Sequence, residues 1–549
     1  MSKRVQLLVV FALVALRAIL PAHMPAAVDA HIALAAVVVC RAGGASGTAL
    51  SASALVVLGA LLSVPGSWHP FVSLLSLPAV IGPAAFLLLG AQRTARVGAL
   101  WGLAVGGALN ASAAAVQRFV TWPDALAQHA QALDPGVVAQ LTQARAIGLS
   151  MSPDLCGALC IGGACAAAAL ALEAPYRERR LLPIALALVC LVGVVVVRSF
   201  GSTLALGAGA AVAVTALWLK KASRGGVFGA LGALAAAALA LVVALGTRGA
   251  AALQSSAAER IANWRVALEV FQTAPATGVG LGRFPAAYLV ERTPDTNVTR
   301  YAHSGPLHWL AETGLVGAAL ALAAVALVAL ALWRRRASLG AAQLVILAGA
   351  GALLARTFID YDAHVAQTAS VLALLVGLLL ASDGDGESAL RWHRRSTLAV
   401  AVALSPLVVL LFWREGALAD DVDDATLHNY TARFTADPEP RIALGARAAD
   451  RLDACADPER CQAAYQQARR ILDEAVAGPH PSDVGFLLRA RVHARVGQLE
   501  LAERDVDAAL ALHPGSVAAH RMAVELATAL GDDPTPRREA ARRWHVVIP

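Results

Sequence analysis

The sequence predicts an all-α polytopic membrane protein. Of its 549 residues, 58% are hydrophobic and only 15% are charged, whereas a soluble domain is about 25% charged. Apolar blocks of roughly 20 residues recur along most of the chain, and that length spans a ~30 Å hydrocarbon core at about 1.5 Å per residue. The blocks are too numerous and too free of charge to be the buried helices of a large soluble enzyme.

Twelve or thirteen helices are expected to span the membrane. Residues Met1 to Arg4 give a short basic start, and the apolar run after them is interpreted as a retained first span, not a cleaved signal peptide. The expected spans are 5–22, 26–40, 48–65, 71–91, 97–118, 155–173, 181–197, 201–219, 226–246, 306–332, 340–358, 364–381 and 398–413. The chain therefore divides into a transmembrane domain, 1–413, and a second domain, 414–549.

The basic clusters predict the orientation of the bundle. With the N-terminus in the cytoplasm, every tight cluster falls on the cytoplasmic side, as the positive-inside rule requires. The clusters are Arg41; Arg93 and Arg96; Arg177, Arg179 and Arg180; Lys220, Lys221 and Arg224; Arg334, Arg335 and Arg336; and Arg391, Arg394 and Arg395. The segments 119–154, 247–304 and 414–549 then lie outside. The net charge of +7 does not indicate nucleic-acid binding, because the cations form no stripe interleaved with aromatic residues.

The second domain is predicted to be a soluble helical array. Asp, Glu and Arg alternate there with Ala and Leu at helical spacing. One segment beginning at Asp483 fits the tetratricopeptide template of about 34 residues. The fitting positions are Phe486, Ala490, Gly497, Ala502, Val506, Ala509 and Pro514. A generic array of helical hairpins is the alternative, and both interpretations predict a helical scaffold for binding or positioning, such as the binding of a protein partner, and not for catalysis.

Two of the seven cysteines are candidates for a disulfide. Cys455 and Cys461 flank the helix breaker Asp457-Pro458 in the soluble domain, and an extracytoplasmic location would favour their oxidation. The other five lie within or beside spans, where cysteine packs as a small apolar residue. Two lone cysteines do not predict a structural metal site, which usually takes four ligands.

The segment 247–304 is predicted to be the longest outer loop and to carry chemistry. Long loops are usually functional or disordered, and the aromatic residues of this one argue against disorder. Apolar spacing predicts a helix from Glu259 to Phe271, followed by a chain reversal at Gly278–Gly282. Its arginines are Arg248, Arg260, Arg265, Arg283, Arg292 and Arg300. They outnumber the acidic residues, which suits a phosphorylated substrate, although each arginine alone is also explained by solvation or ion pairing.

Polar residues from other outer segments are expected to join this one. An imidazole at the membrane surface, such as that of His303, accepts a proton near neutral pH. A charge inside a span, such as Glu312, needs a reason, and one reason is to orient His308 one turn earlier. Taken singly, such residues are also explained by surface exposure or helix packing. The further candidates are Arg145, Arg198, Asp360, Asp362 and His364. Because they come from separate regions and end on one face, the sequence predicts a single site.

The types and spacing of these candidate residues resemble those of a known family. The stretch Arg260 to Gly317 is similar to the signature region of the O-antigen ligase and polymerase superfamily. The family pattern is an Arg, a Trp, a Pro-x-x-Gly-x-Gly-x-Gly-x-Phe turn and a His-Asn-x-x-Leu-Gln-x-x-x-Glu-x-Gly block. The counterparts here are Arg260, Trp264, Pro275 to Phe284, and His303 to Gly314, with Ser304 for the Asn and His308 for the Gln.

Three weaker similarities follow the same order along the chain. Arg145 to Asp154 resembles an outer segment of the family, with Asp154 at an Asn position. Arg198-Ser199 resembles a Ser-Arg-Gly motif in altered order, and Asp360 to His364 resembles an Asp-Phe segment of bacterial members. The resemblance covers roughly residues 90–380, and a tetratricopeptide tail occurs in some members.

The resemblance implies a metal-independent, inverting glycosyltransferase of the C-type fold, without a cofactor, in a bacterial inner membrane with a periplasmic tail. The donor would be a glycan on undecaprenyl diphosphate. The acceptor would be lipid A core in a ligase, a growing polysaccharide in a polymerase, or a protein side chain in a related branch. His303 would be the base, and Arg198 with Arg260 or Arg265 would hold the diphosphate. The remaining site candidates are Arg145, His308, Glu312, Asp360 and Asp362.

Two other classes of protein compete with this interpretation. A transporter or flippase of lipid-linked sugars would line a path with charged residues inside its spans, and most spans here lack them. A membrane-anchored adaptor that works through its helical tail would predict a neutral, unpatterned 247–304 segment, which the sequence does not have.

Overall fold

The fold is that of a computed structural model. It describes residues 3–20, 26–40, 45–129, 138, 141–143, 145–150, 152–219, 250–381, 387–478 and 480–548. These residues form helices joined by short connections, with no strand among them. The predicted all-α class is confirmed.

The first region is a helical bundle. Its helices are α1 Lys3–Ile19, α2 Ala26–Cys40, α3 Gly47–Ser63, α4 Pro70–Ser76, α5 Pro78–Gly90, α6 Arg96–Val116, α7 Trp122–His129, α8 Pro153–Glu173, α9 Leu181–Val196, α10 Phe200–Leu219, α11 Ala250–Thr273, α12 Phe284–Glu291, α13 Gly305–Arg335, α14 Ala341–Thr357, α15 Ala366–Leu380 and α16 Glu387–Ala417. Among the described residues, seven helical segments are long and apolar enough to cross a membrane, and α2, α3, α14 and α15 are shorter apolar helices. The chain is a multi-pass membrane protein.

The predicted spans coincide with helices wherever the structure describes them. The span 226–246 and the basic residues Arg41, Lys220, Lys221 and Arg224 lie outside the described residues. The span 71–91 is divided into α4 and α5 at Leu77, because Pro78 at the start of α5 has no N–H to continue the helix. The span 398–413 is only the apolar part of α16.

The helix predicted from Glu259 to Phe271 within the segment 247–304 is confirmed, and it is longer than predicted. The segment contains α11, a helix of 24 residues, and the shorter α12. The α11 sequence is rich in Ala, Leu, Glu and Arg, which favour helix but are too polar in total for a span. The segment 119–154 also begins as helix, since α6 runs through the π-helical turn Gln117–Thr121 into α7.

Small residues allow the helices of the bundle to approach closely. The backbones of α6 and α8 meet at Gly107 and Gly163, where a Cβ on Gly107 would lie 2.8 Å from the Gly163 Cα. Helices α5 and α15 meet in the same way at Gly90 and Gly377. Close backbone packing between small residues is a common basis of helix association in a bilayer.

The glycine-rich turn after α11 docks on a break in α13. Gly314 has φ +62° and interrupts the helix, and its neighbours then pair with the turn: the Leu315 N–H donates to the Pro275 carbonyl at 2.9 Å. From the other side, the Val279 N–H donates to the Ala311 carbonyl and the Gly280 N–H to the Glu312 carbonyl, both at 3.0 Å. The turn therefore fixes the first turns of α13, where the family-like block lies.

The second region is helical as predicted. Its helices are α17 Asp424–Arg433, α18 Pro438–Asp453, α19 Pro458–Val476, α20 Asp483–Arg495, α21 Leu499–Leu512, α22 Val517–Leu530 and α23 Thr535–Arg543. Ala490, Ala502, Val506 and Ala509 are fully buried between these helices. Cys455 and Cys461 are joined by a disulfide, with 5.5 Å between their Cα atoms. Assignment of the array to the tetratricopeptide family stays a prediction.

The second region packs against the end of the bundle that carries Arg198, His303 and Asp360, here called the site end. The His480 ring stacks on Trp68, with ring centroids 4.5 Å apart and planes 2° from parallel. His69 Nε2 lies 2.7 Å from the His480 carbonyl oxygen. The backbone N–H of Trp68 also donates to the Val279 carbonyl at 3.0 Å. The tail is thus connected, through one short segment, to the glycine turn that braces α13.

Candidate functional site

His303 lies at the centre of the site in a constrained conformation. Its φ is +53°, a region that non-glycine residues rarely adopt. The Trp264 Nε1–H of α11 donates to the His303 carbonyl at 3.0 Å. The ring packs edge-on against Tyr361, with centroids 5.1 Å apart, and keeps a quarter of its surface exposed. Strain of this kind persists only where surrounding contacts hold it, and it is frequent at active sites.

Asp360 faces the histidine. His303 Nδ1 lies 3.6 Å from Asp360 Oδ1, and the carboxylate is only 4% exposed. This is an ion-pair distance, longer than a hydrogen bond, and catalytic hydrogen bonds are often long before substrate binds. A buried carboxylate near Nδ1 orients the imidazole ring.

Arg356, near the end of α14, joins two acidic residues. Its guanidinium group is fully buried and forms a bidentate pair with Asp362, at 2.5 and 3.1 Å, and lies 3.6 Å from Asp360. Burial raises the pKa of Asp362 to about 6 against the opposing effect of the Arg356 charge, with a further rise from Asp360. Sequence reasoning missed Arg356 because it was absorbed into a predicted span. The available signal was a charged residue inside that span, one helical turn before Asp360.

A hydrogen-bonded chain continues from Arg356 to the start of α8. Arg356 Nη1 donates to the Ser202 hydroxyl at 2.6 Å, and Ser202 donates to Ser199 at 2.9 Å. The Ser199 hydroxyl donates to Asp154 at 2.5 Å, and Asp154 also pairs with Arg145 at 3.2 Å. The predicted residues Arg145, Asp360 and Asp362 therefore belong to one network, although they come from different segments.

Arg198 lies beside this network with a second arginine. It precedes Ser199, has φ +51° and is half-buried. Arg118, from the π-helical turn, donates to the Val196 carbonyl at 2.9 Å, and its charge and that of Arg198 repel each other through space. Two cations held close together lower the cost of bringing an anion to them. Arg118 was not among the predicted site residues.

The two arginines predicted on α11 have different surroundings. Arg260 donates to the Ile359 carbonyl at 2.9 Å and to the Ser256 carbonyl at 3.2 Å, so it holds the segment that carries Asp360. Arg265 is exposed, and within the described part of the chain it forms no ion pair. Arg260 is therefore placed as a tether of the site and Arg265 as an accessible cation on its margin.

His308 and Glu312 form a buried pair behind His303. His308 Nε2 lies 3.3 Å from Glu312 Oε1, and His308 Nδ1 accepts the Ala302 N–H at 3.3 Å. Glu312 Oε1 also accepts the Phe284 N–H at 3.2 Å. The His364 ring lies 4.0 Å from that of His308. Both nitrogens of His308 are thus occupied in bracing the turn, unlike those of His303.

Part of the chain that forms this site is similar to a known protein family. Residues 184–322 match the family model described as O-antigen ligase, and no curated protein matches the chain. The matched segment contains Arg198, α11, His303 and Glu312. Arg118, Arg145, Arg356 and Asp360 lie outside it. The match confirms the resemblance read from the motifs, and it implies a membrane-embedded glycosyltransferase that works on a glycan substrate.

Proposed function

We propose, from the O-antigen ligase domain at residues 184–322, that this chain transfers a glycan from undecaprenyl diphosphate to a hydroxyl acceptor. The observation that carries the proposal is the placement of His303, which is partly exposed and faces the buried Asp360. Contacts run from Asp360 through Arg356 and Ser202 to Ser199, the neighbour of Arg198. Arg118 lies near enough to Arg198 for their charges to repel each other. A base and an anion site are the two elements that such a transfer requires.

His303 is the proposed general base. It takes the proton of the acceptor hydroxyl while the oxygen attacks the anomeric carbon of the donor. The bond between that carbon and the phosphate oxygen breaks, its electron pair leaves with undecaprenyl diphosphate, and the anomeric configuration inverts. Asp360 stabilises the imidazolium that forms, as the carboxylate does in a hydrolase triad.

Arginine side chains are proposed to stabilise the leaving diphosphate. Negative charge grows on its oxygen as the bond breaks, so cations at this point lower the barrier more than they tighten ground-state binding. Arg198 and Arg118 are the main candidates, and Arg265 adds an accessible cation nearby. Because guanidinium groups carry this charge, the proposal includes no metal ion.

The acceptor decides between a ligase and a polymerase. A ligase transfers the glycan to lipid A core, a polymerase transfers it to another repeat unit, and a protein O-oligosaccharyltransferase transfers it to a protein side chain. We further propose a bacterial inner membrane location with the site end and tail in the periplasm, where the helical array receives a protein partner.

Complementation of a deletion strain tests the proposal. His303→Ala and Arg198→Ala are expected to abolish surface glycan, scored by gel electrophoresis, at a normal level of membrane-inserted protein. The matched control is Arg335→Ala at the opposite end of the bundle, where the side chain binds the Leu380 and Ala381 carbonyls. Normal surface glycan in both test variants would overturn the mechanism. In the deletion strain itself, single attached repeats indicate a polymerase, whereas accumulation of lipid-linked polymer indicates a ligase.

A further inference from the structure

Arg356 makes more contacts than a structural ion pair requires. Asp362 alone satisfies the charge of the guanidinium group through two hydrogen bonds, and such a bidentate fork fixes the plane of the group. With that plane fixed, Nη2 lies 3.6 Å from Asp360 Oδ2 while the other oxygen of Asp360 lies 3.6 Å from His303 Nδ1. Asp360 therefore stands between the guanidinium group and the imidazole.

The backbone of Arg356 also holds the connection between α14 and α15, which carries Asp360. The carbonyl of Arg356 accepts the N–H groups of Ile359 at 3.0 Å and Asp360 at 2.9 Å. On the far side, the Thr368 hydroxyl at the start of α15 donates to the Asp362 carbonyl at 2.6 Å. The short connection between α14 and α15 is thus fixed at both ends. Arg356 determines where the carboxylates of Asp360 and Asp362 in this connection point.

The third contact of Arg356 reaches the anion side of the site. Nη1 donates to Ser202 of α10, and Ser202 donates to Ser199, the neighbour of Arg198. A single buried side chain therefore joins the segment that directs the base to the helix that begins beside the candidate diphosphate cation. Loss of geometry at a reacting centre by about 1 Å can cost on the order of 100-fold in rate.

We propose that Arg356 is a positioning residue that acts through Asp360 to align His303 for the transfer. This inference rests on the proposed function. The guanidinium group touches neither donor nor acceptor. Its effect is on the base, so its loss lowers the turnover number and leaves the apparent affinity for the donor unchanged.

A double-mutant cycle tests the inference. The full chain is assayed in membranes, with lipid-linked glycan extracted from the deletion strain as the donor. Arg356→Lys keeps the charge but loses the fork, and we expect a rate about 10 to 100 times lower with an unchanged KM for the donor. Asp360→Asn is also expected to lower the rate. The double variant should match Asp360→Asn within about threefold, because residues that act as a unit are not additive. Losses that multiply would overturn the inference.

A double variant distinguishes a positioning role of Arg356 from a role in folding alone. Removing one partner of a buried ion pair leaves an uncompensated charge, so Arg356→Gln is combined with Asp362→Asn to give a neutral amide pair. We expect this pair to restore the protein level but not the rate. If the rate returns to within threefold of wild type, Arg356 serves folding alone and the inference fails. Arg335→Lys is the matched control and should keep the full rate.

The outcomes separate this inference from the function on which it rests. If His303→Ala keeps the wild-type rate, the proposed function fails. If His303→Ala is inactive while the Arg356 and Asp360 losses multiply, the proposed function stands and only the positioning role fails.

Discussion

His303 Nδ1 lies 3.6 Å from a carboxylate oxygen of Asp360. This contact joins the segment just before α13 to the connection between α14 and α15. The histidine is partly exposed and the aspartate is buried. Contacts with Trp264 and Tyr361 hold the histidine in its positive-φ conformation. A catalytic base requires this combination of access on one side and direction on the other. The relationship underlies the first prediction.

Asp360→Asn is expected to lower the turnover number by at least ~10-fold, with little change in the KM for the lipid-linked donor. An amide at this point no longer stabilises the imidazolium and can hold the wrong tautomer. Steady-state kinetics in membranes measure both constants. Asp295→Asn, at a residue that is 92% exposed, is the control and should change neither. A raised KM with a normal turnover number would instead place Asp360 in donor binding.

Gly314→Ala is expected to destabilise the protein by at least about 2 kcal/mol. Its φ of +62° strains any other residue, and a Cβ would lie 2.4 Å from the Ala276 carbonyl group, in the turn that braces α13. Thermal unfolding of the purified chain measures the effect. Gly416→Ala is the control, because nothing lies within 4 Å of its Cβ position and alanine favours helix. Equal melting temperatures for Gly314→Ala and wild type would contradict the docked turn.

Docking of the tail is expected to weaken as the pH falls below about 6.5. Burial lowers the pKa of both His69 and His480 in the folded state, so protonation favours the undocked form. The stability of this contact is present above the ordinary histidine pKa and is lost as the pH falls through the lowered values. Limited proteolysis of the tail at pH 7.5 and 5.5 measures it.

Two variants sharpen the pH test. His480→Phe keeps a ring on Trp68 but cannot be protonated, so it should reduce the pH dependence by at least half. His428→Ala, at an exposed residue of the tail, should leave it unchanged. A tail that is cleaved equally at both pH values in the wild type would show that these histidines do not control docking.

Reduction of the Cys455–Cys461 disulfide is expected to lower the stability of the tail by about 2 kcal/mol, since the loop it closes is short. Mass mapping of the unreduced protein should find the two cysteines in one cross-linked peptide, and thermal unfolding with and without reductant measures the stability. Free thiols on both residues, in protein isolated from the cell, would contradict the bond and weaken the outside location of the tail.

The sequence predicted the helical bundle well because apolar blocks and proline breaks are local signals. It failed where pairing is long-range. Nothing local shows that the turn at Gly278 docks on the break at Gly314, since each glycine alone fits an ordinary loop. Arg356 was not predicted as a site residue for a related reason. A single charge near the end of a span is common, and its role depends on long-range contacts with Asp360, Asp362 and Ser202. By contrast, His303 was found because its spacing to Glu312 and Gly314 matches a known block.

The rate of glycan transfer by His303→Ala tests the central claim most directly. Membranes with equal amounts of wild-type or variant chain receive lipid-linked glycan from the deletion strain, and formation of the acceptor-linked product is followed over time. Loss of a general base predicts a rate at least ~100-fold below that of wild type. A rate within threefold of wild type, at equal protein level, would contradict the assignment of His303 as the base and with it the proposed site.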